Sequence, residues 1–556
     1  MTQRAYRAAC PNCGAPVDFA STASASAVCG FCRSTLVRDG DALRRIGVSA
    51  ELFDDHSPLQ LGASGTRQGL GFALVGRLQY GYQSGPRAAA SPAPPPEGAA
   101  SPTGQAGSGL DGTWNEWHAL FDNGRSAWLS EDNGAYVIAF DAPLPADAPQ
   151  DAAALEALRA GERTLADGRA WDVASTLRAK LIAAQGELPT PPHLQGDFTV
   201  VDLRNSAGEV ATLEASDPAR LHWSVGRSVA LSELRMSGLK AGGTEKTLAS
   251  RSIECPSCGA ALQPTLASTK SLSCGQCKAV VDVSQGVGGE LAFYAQNNAG
   301  AAGAEPQIRL GSTGTLALGG APAPWQVVGY QERCDLPGSS EDETSFWREY
   351  LVYSVSEGFA FLVDSNFGWS WVKPVTGAPA VRGEQAEWDG VRYQQKWRYA
   401  ARVTWVQGEF YWRVKRDERA SVTDYEGTGA DGARRLSREQ TGSEVTWSAG
   451  QTLDAATVAD AFAIAPGARA ALQRDVAPFT AKGGGSRNAI IVFAVIVMLF
   501  ALLSRCDRDE CDAVRQTFGQ ASTEYQQCAR QRATSGVPRT GGGAFGGYSS
   551  GGGGHK

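Results

Sequence analysis

Cys10-Pro-Asn-Cys13-Gly14 and Cys29-Gly-Phe-Cys32 are the stretches that decide the fold of this 556-residue chain. Fifteen residues separate the two cysteine pairs, an interval that can form a small hairpin and bring four thiolates together. The same pattern returns as Cys255-Pro-Ser-Cys258-Gly259 and Cys274-Gly-Gln-Cys277, with an identical interval. We infer that the chain contains two copies of one four-cysteine unit.

Each cysteine quartet is predicted to bind one zinc ion as a zinc ribbon. A C-x-x-C turn places two thiolates on one knuckle, and two knuckles supply the four tetrahedral ligands that zinc prefers. Because four cysteines leave no coordination position for water, both ions are expected to be structural. Gly14, Gly30, Gly259 and Gly275 are expected to provide the permissive backbone of the knuckles. The predicted ligands are Cys10, Cys13, Cys29, Cys32, Cys255, Cys258, Cys274 and Cys277.

Redox-active C-x-x-C pairs are the main alternative to zinc binding. Neither pair begins a helix within a βαβ pattern, which redox motifs of this type require. The first fifty residues contain no continuous apolar run typical of a secretory signal peptide. The thiols are therefore expected in a reducing compartment, where paired motifs favour a metal over disulfides.

Residues downstream of each ribbon are duplicated as well. The first copy is longer between the anchors, but the order of the anchors is the same throughout, which indicates that the whole ribbon-plus-module unit is repeated. The paired anchors are Leu61-Gly-Ala-Ser-Gly-Thr66 with Leu310-Gly-Ser-Thr-Gly-Thr315, Trp114-Asn-Glu-Trp117 with Trp347-Arg-Glu-Tyr350, Asp167-Gly168 with Asp389-Gly390, Gln185-Gly-Glu-Leu188 with Gln407-Gly-Glu-Phe410, and Trp223-Ser224 with Trp447-Ser448.

Short β-favouring runs broken by Gly and Asp/Asn turns predict a mainly β protein with antiparallel modules. Helices are expected only at 151–160, around 455–462 and after 488. The predicted organisation is zinc ribbon 1 (1–48), module 1 (49–240, with a disordered loop at 84–109), zinc ribbon 2 (241–290), module 2 (291–467), a linker (468–487), a transmembrane helix (488–504), a cysteine-containing helical segment (505–535) and a Gly-rich disordered tail (536–556).

The single transmembrane helix is predicted from residues 488–504, which carry no charge and are bracketed by Arg487 and Arg505. Seventeen helical residues reach roughly 25 Å, and the flanking arginines can extend that span toward the hydrocarbon thickness of about 30 Å. We expect a single-pass protein of the bacterial inner membrane. The amino-terminal bulk is expected in the cytoplasm and the short tail in the periplasm, where Cys506, Cys511 and Cys528 could be oxidised.

The charge and motif content argues against several functions. A net charge of −7 gives no general attraction to nucleic acid, and the arginines of the first ribbon have no counterpart cluster in the second. No P-loop or H-E-x-x-H motif is present, and no G-x-S-x-G motif occurs in a strand-turn-helix context. Three repeated pairs of acids resemble ordinary turn and sheet-edge residues: Glu187/Glu409, Asp202/Asp424 and Glu116/Glu349. Three repeated pairs of aromatic residues are expected in the core: Trp114/Trp347, Trp171/Tyr393 and Trp223/Trp447.

The anchors LG-x-x-GT, W-x-E-[WY] and QGE-[LF] resemble those of the bacterial domain-of-unknown-function 4178 family, in two copies. The resemblance is clearer in module 2, through Trp397 to Trp412. It implies β-rich domains, often with a zinc ribbon and membrane attachment, encoded near polyamine-synthase-like and small membrane proteins. It therefore implies a role in an envelope-linked response, without assigning a reaction.

Three functional hypotheses follow from the sequence. The favoured one is a non-enzymatic, membrane-anchored, zinc-stabilised binding or scaffold protein with a protein partner. The second is an enzyme or sensor whose site lies between the two modules and uses the repeated acids to hold a small cation such as a polyamine. The third, nucleic-acid binding by the ribbons, is the least favoured because of the net negative charge.

Overall fold

Strand dominates this computed structural model of the chain, in agreement with the mainly β prediction. The structure describes residues 6–21, 24–39, 42–48, 57–84, 112–132, 135–192, 196–217, 219–240, 253–266, 269–283, 291–296, 306–336, 344–355, 357–415 and 417–472. We refer to residues 6–48 as cysteine unit 1 and to residues 253–296 as cysteine unit 2. The described strands of unit 1 are β1 Tyr6–Ala9, β2 Pro16–Phe19, β3 Ser26–Val28, β4 Ser34–Asp39 and β5 Ala42–Val48.

Module 1 closes on itself as a ring of eight antiparallel strands. Its elements are β6 Ser64–Arg67, β7 Leu70–Ser84, β8 Gly112–Phe121, β9 Ser126–Asp132, β10 Ala135–Ala142, α1 Ala152–Ala157, β11 Arg163–Ala166, β12 Arg169–Leu188, β13 Phe198–Arg204, β14 Glu209–Asp217 and β15 Arg220–Val229. The ring runs β7-β8-β9-β10-β15-β14-β13-β12 and returns to β7. Hairpins β6–β7 and β11–β12 extend it.

Cysteine unit 2 and module 2 repeat this plan. Unit 2 contains β16 Ile253–Glu254, β17 Ala261–Leu262, β18 Ser271–Ser273, β19 Val280–Asp282 and β20 Phe293–Tyr294. Module 2 contains β21 Thr313–Leu316, β22 Ala323–Leu336, β23 Phe346–Ser354, β24 Gly358–Ser365, β25 Gly368–Val375, β26 Ala380–Arg382, β27 Gln385–Trp388, β28 Val391–Phe410, β29 Arg419–Gly427, β30 Arg434–Thr441, β31 Glu444–Leu453 and α2 Ala455–Ala461. Its ring is β22-β23-β24-β25-β31-β30-β29-β28, closed by β28 with β22.

The interior of each ring is filled by alternate side chains of its strands. In module 2, Phe361 and Val372 pack with Val403 and Val422, although the strands that carry them are not all neighbours. This cluster therefore lies inside the ring, where residues two apart on each strand face the same side. Trp114, Trp171 and Trp223 and their counterparts Trp347, Tyr393 and Trp447 are all buried, which confirms their predicted place in the core.

Asp-Gly pairs form the turn of one hairpin that extends each ring. Asp167-Gly168 and Asp389-Gly390 both have positive φ (55° and 66°, 50° and 73°) and form the two-residue turns β11–β12 and β27–β28. Two residues in the left-handed region match the twist of a tight hairpin, and Asp-Gly is a favoured pair for it. The sequence anchor therefore marks the same turn in both modules.

Two short helices lie where the sequence predicts them. Asp151 caps α1 by accepting a hydrogen bond from the Ala154 amide, and Asp454 caps α2 by accepting one from the Ala456 amide. A carboxylate at this position satisfies an amide that has no partner within the helix. Short 3₁₀ helices also form at Gly429–Asp431, between β29 and β30, and at Pro466–Leu472, after α2.

The two modules contact each other directly within one compact unit of the chain. The Thr176 amide donates to the Ser443 carbonyl at 3.1 Å, and Gln440 Nε2 donates to the Ala160 carbonyl at 3.1 Å. Ala160 also packs with Tyr393 and Trp447 of module 2. The modules are therefore joined by hydrogen bonds to backbone carbonyls and by apolar packing.

Several predicted segments lie outside the described residues. These are the transmembrane helix at 488–504, the helical segment at 505–535 with its three cysteines, the tail at 536–556 and all but the first residue of the loop at 84–109. Within the described ranges, no helix has the length and apolar character needed to cross a membrane.

Candidate metal centres

Cysteine unit 1 brings its four thiols together through two knuckles. In the first knuckle the Gly14 amide donates to the Cys10 carbonyl, and in the second the Arg33 amide donates to the Cys29 carbonyl, at 2.8 and 2.9 Å. These bonds turn the chain so that both sulfurs of a pair face one point. Cysteine unit 2 uses the same bonds, from Gly259 to Cys255 (2.8 Å) and from Lys278 to Cys274 (3.0 Å).

The sulfur atoms have the spacing of a tetrahedral metal site. The Sγ atoms of Cys10 and Cys32 are 3.6 Å apart and those of Cys13 and Cys29 are 3.7 Å apart. In unit 2 the pairs Cys255–Cys277 and Cys258–Cys274 are both separated by 3.7 Å. A tetrahedral ion with metal–sulfur bonds of about 2.3 Å would place its ligand atoms about 3.8 Å apart. The donor set therefore fits one metal ion in each quartet.

Hydrogen bonds favour the thiolate form of one cysteine in each quartet. The Ser34 hydroxyl lies 3.2 Å from Cys32 Sγ and lowers the pKa of that thiol to about 5. A hydrogen bond from the Ala279 amide lowers the pKa of Cys277 to about 6. Thiolates are the form of cysteine that binds metals.

One detail of the predicted knuckles is wrong for two of the four glycines. Gly14 and Gly259 adopt positive φ (76° and 74°), as expected. In the second knuckles the left-handed residues are Arg33 (57°) and Lys278 (62°), not the preceding Gly30 and Gly275. The knuckle requires the left-handed conformation at the residue after its second cysteine, so glycine inside the C-x-x-C segment does not supply it.

Each cysteine unit is joined to its module by an edge-to-edge strand pairing. Val28, Ala27 and Ser26 of β3 pair with the Gly186–Leu188 end of β12. In the second copy β18 pairs with the equivalent end of β28, Ser271 with Phe410 and Leu272 with Glu409. The cysteine hairpin therefore continues the sheet of the module.

The repeated QGE glutamates hold the chain that connects the two knuckles. Glu187 accepts hydrogen bonds from the amides of Ala20 and Ser21. Glu409 accepts from the amides of Thr265 (2.9 Å) and Leu266 (3.0 Å), and from the hydroxyls of Thr265 (2.7 Å) and Thr269 (2.5 Å). Carboxylates that accept backbone amides form stronger bonds than neutral pairs. These acids are thus docking residues for the cysteine units.

The glycine before each of these glutamates allows the strands to approach. Gly186 and Gly408 have positive φ (73° and 83°). A Cβ atom added to Gly186 would lie 2.2 Å from the Val75 carbonyl oxygen, and one added to Gly408 would lie 2.3 Å from the Val328 carbonyl oxygen. Only glycine fits such a position without moving the neighbouring strand. The QGE anchor thus combines a glycine that lets two paired strands approach closely with a carboxylate that holds the cysteine unit.

The remaining repeated acids lie inside the rings, which contradicts their expected place at turns and sheet edges. In module 2, Arg333 pairs with Glu349 (3.4 Å) and with Glu439 (2.9 Å), and all three are buried. Trp347 Nε1 donates to Glu349 at 2.7 Å, and the Tyr399 hydroxyl donates to Asp424 at 2.8 Å. Burial raises the pKa of Glu439 to about 7, against the opposing effect of Arg333.

Module 1 keeps the acids but not the arginine. Tyr80 faces Trp114 in the register where Arg333 faces Trp347. Glu214 faces Val200 as Glu439 faces Val422, so Glu214/Glu439 is a fourth repeated pair of acids. Glu214 precedes Trp223 by nine residues whereas Glu439 precedes Trp447 by eight, because the β14–β15 pairing contains an irregularity. This shift hides the pair from a comparison of spacings.

The repeated acids do not form one site between the modules. Glu187 and Glu409 contact the cysteine units, and Glu116, Asp202, Glu349 and Asp424 are buried within their own rings. The described residues therefore provide no shared acidic cleft of the kind expected for a cation held between the two copies.

Both rings fall within regions that match a known family model. The model of the domain of unknown function DUF4178 matches residues 60–231 and 310–455, while both cysteine quartets lie outside these ranges. No curated protein and no solved structure matches the chain. The two matched regions make up more than half of the sequence, and each contains one complete ring of strands. The chain therefore belongs to the DUF4178 family and carries two copies of its domain.

Proposed function

We propose that the chain is a non-enzymatic binding or scaffold protein whose two β modules are each stabilised by a structural zinc ion. The observation that carries this proposal is the closed four-sulfur cage attached to each module by strand pairing and a buried glutamate. Four thiolate ligands fill the coordination shell of zinc, so the metal would stabilise the fold without activating water.

The small core of each cysteine unit supports a stabilising role for the metal. Among the described residues of unit 1, the buried cluster consists of Val17, Phe19, Ala27 and Leu36 together with cysteines. Zinc binding by such peptides supplies on the order of 10 kcal/mol near neutral pH. A bound ion would thus hold the knuckles in place where apolar burial is slight.

Binding is favoured over catalysis because the repeated acids already have structural partners. Glu187 and Glu409 engage the backbone of the cysteine units, and Glu349 and Glu439 engage Arg333. A polyamine would have to displace these contacts to reach the same carboxylates. The cationic-ligand alternative is therefore less well supported than the scaffold.

The proposed location is the cytoplasmic face of the bacterial inner membrane, with residues 488–504 as the single-pass anchor and the short tail in the periplasm. The apolar run and the reduced thiols needed by both metal sites support this arrangement. Tethering would raise the local concentration of the modules, so that even weak contacts with a protein partner would be effective.

Metal analysis of the purified full-length protein tests the structural role. We expect two zinc ions per chain and one fewer in either Cys29→Ser or Cys274→Ser. The matched control is Cys334→Ser, which removes a buried thiol of module 2 that belongs to neither quartet. A folded native chain without metal, or equal zinc in all variants, would contradict the proposal.

A pull-down from detergent extracts tests the scaffold role. The full-length chain is expected to retain a reproducible protein partner, and a variant that lacks both Cys29 and Cys274 is expected to lose it. Failure of the native bait to enrich any protein over the double variant would count against a scaffold while leaving the metal sites intact.

A further inference from the structure

A small cleft on module 1 carries two arginines without acidic partners. It has a volume of about 130 Å³ and lies between the β6–β7 turn and the β8–β9 turn. Arg67 and Arg125 line it together with Phe140, Phe121, Leu70 and Asn123. The guanidinium carbons of Arg67 and Arg125 lie 5.5 and 4.6 Å from the centre of the Phe140 ring.

The charge of this cleft is not neutralised within the described part of the chain. Neither the Arg67 nor the Arg125 side chain makes an ion pair there, whereas the neighbouring Arg227 pairs with Glu209 at 3.2 Å. Burial, followed by repulsion from Arg227 and Arg125, lowers the pKa of Arg67. A half-buried cation beside like charges is unfavourable unless an anion joins it.

Module 2 lacks this arrangement at the equivalent positions. The strand registers place Leu316 where module 1 has Arg67, Gly358 where it has Arg125, and Lys373 where it has Phe140. Lys373 pairs with Glu357 at 3.3 Å. The same corner of the fold is thus neutralised in one copy and left cationic in the other.

We propose that this cleft binds an oxyanion, the phosphate or carboxylate group of a small ligand whose apolar part packs on Leu70 and Phe121. Guanidinium groups bind both anions through paired, charge-assisted hydrogen bonds. The exposed Leu70 and the buried Phe121 provide an apolar surface beside the two cations. The site uses no cysteine and is independent of the proposed scaffold role.

Calorimetric titration of the full-length protein with inorganic phosphate, phenyl phosphate and benzoate, against chloride at equal ionic strength, tests the inference. We expect at least one oxyanion to bind, and Arg67→Gln or Arg125→Gln to weaken its binding tenfold or more. The matched control is Lys373→Gln, which removes the cation at the corresponding corner of module 2 and should bind like the native protein.

Vesicles with and without an anionic phospholipid distinguish a lipid headgroup from a free anion as the source of the oxyanion. Binding to either that requires Arg67 and Arg125 supports the site. If the native protein binds no oxyanion beyond chloride, or if both arginine variants bind as tightly as the native protein, the inference is overturned. Unchanged zinc content in these variants would show that the fold is intact.

Discussion

Glu409 illustrates how much of the attachment of a cysteine unit depends on one side chain. It is buried and accepts hydrogen bonds from Thr265, Leu266 and Thr269. In Glu409→Gln one oxygen becomes an NH₂ group that faces amide and hydroxyl donors. We expect a loss of about 2 kcal/mol in the attachment of unit 2, and faster release of one of the two zinc ions to a chelator. Glu387→Gln, at an exposed position of module 2, should release zinc at the native rate.

Glu439 makes the stability of module 2 depend on pH. Its pKa rises from 4.5 to about 7 in the folded protein because of burial. Between these values the folded chain keeps a proton that the unfolded chain has lost. Its contribution to the free energy of unfolding is therefore full below pH 4.5 and falls as the pH rises through 7, by about 3 kcal/mol.

Denaturant unfolding at pH 5 and pH 8 measures this effect. We expect the native protein to lose stability across the interval and Glu439→Gln to lose clearly less, while Glu387→Gln should behave like the native protein. An equal loss in all three proteins would assign the pH dependence to groups other than Glu439.

At the scale of elements, the close approach of the paired strands β22 and β28 depends on Gly408. Its positive φ and the 2.3 Å approach of a Cβ atom to the Val328 carbonyl oxygen leave no space for a side chain. Gly408→Ala should destabilise module 2 by more than about 2 kcal/mol. Gly383→Ala is the matched control, because Gly383 has a φ of 60° but no atom within 4 Å of the added carbon. Equal melting temperatures of the two variants would contradict the close approach.

The elements that the sequence predicts correctly are those specified locally. The knuckles, the Asp-Gly turns and the capped helices depend on residues a few positions apart, and their spacing is visible in the chain. The docking role of Glu409 is not visible, since its partners lie more than 130 residues away. The pair Glu214/Glu439 is likewise hidden, because an irregularity in one hairpin shifts its position by one residue.

For the whole molecule, residues 488–504 are predicted to hold the protein in the membrane. Deletion of this run should move the full chain from the membrane fraction to the supernatant, because these seventeen uncharged residues, of which 489–503 are all apolar, supply the only predicted span. Deletion of 541–556 is the control and should leave the protein in the membrane fraction. Recovery of the native chain in the supernatant would refute the anchor.

The equal docking of the two cysteine units has a practical consequence. Both cysteine hairpins contact their module through one strand end, one glycine at a close strand approach and one carboxylate. Because these contacts are equivalent, each hairpin should fit the module of the other copy. A chimaera in which either hairpin is exchanged for the other should assemble and keep its metal, which would allow the interiors of the two rings to diversify separately.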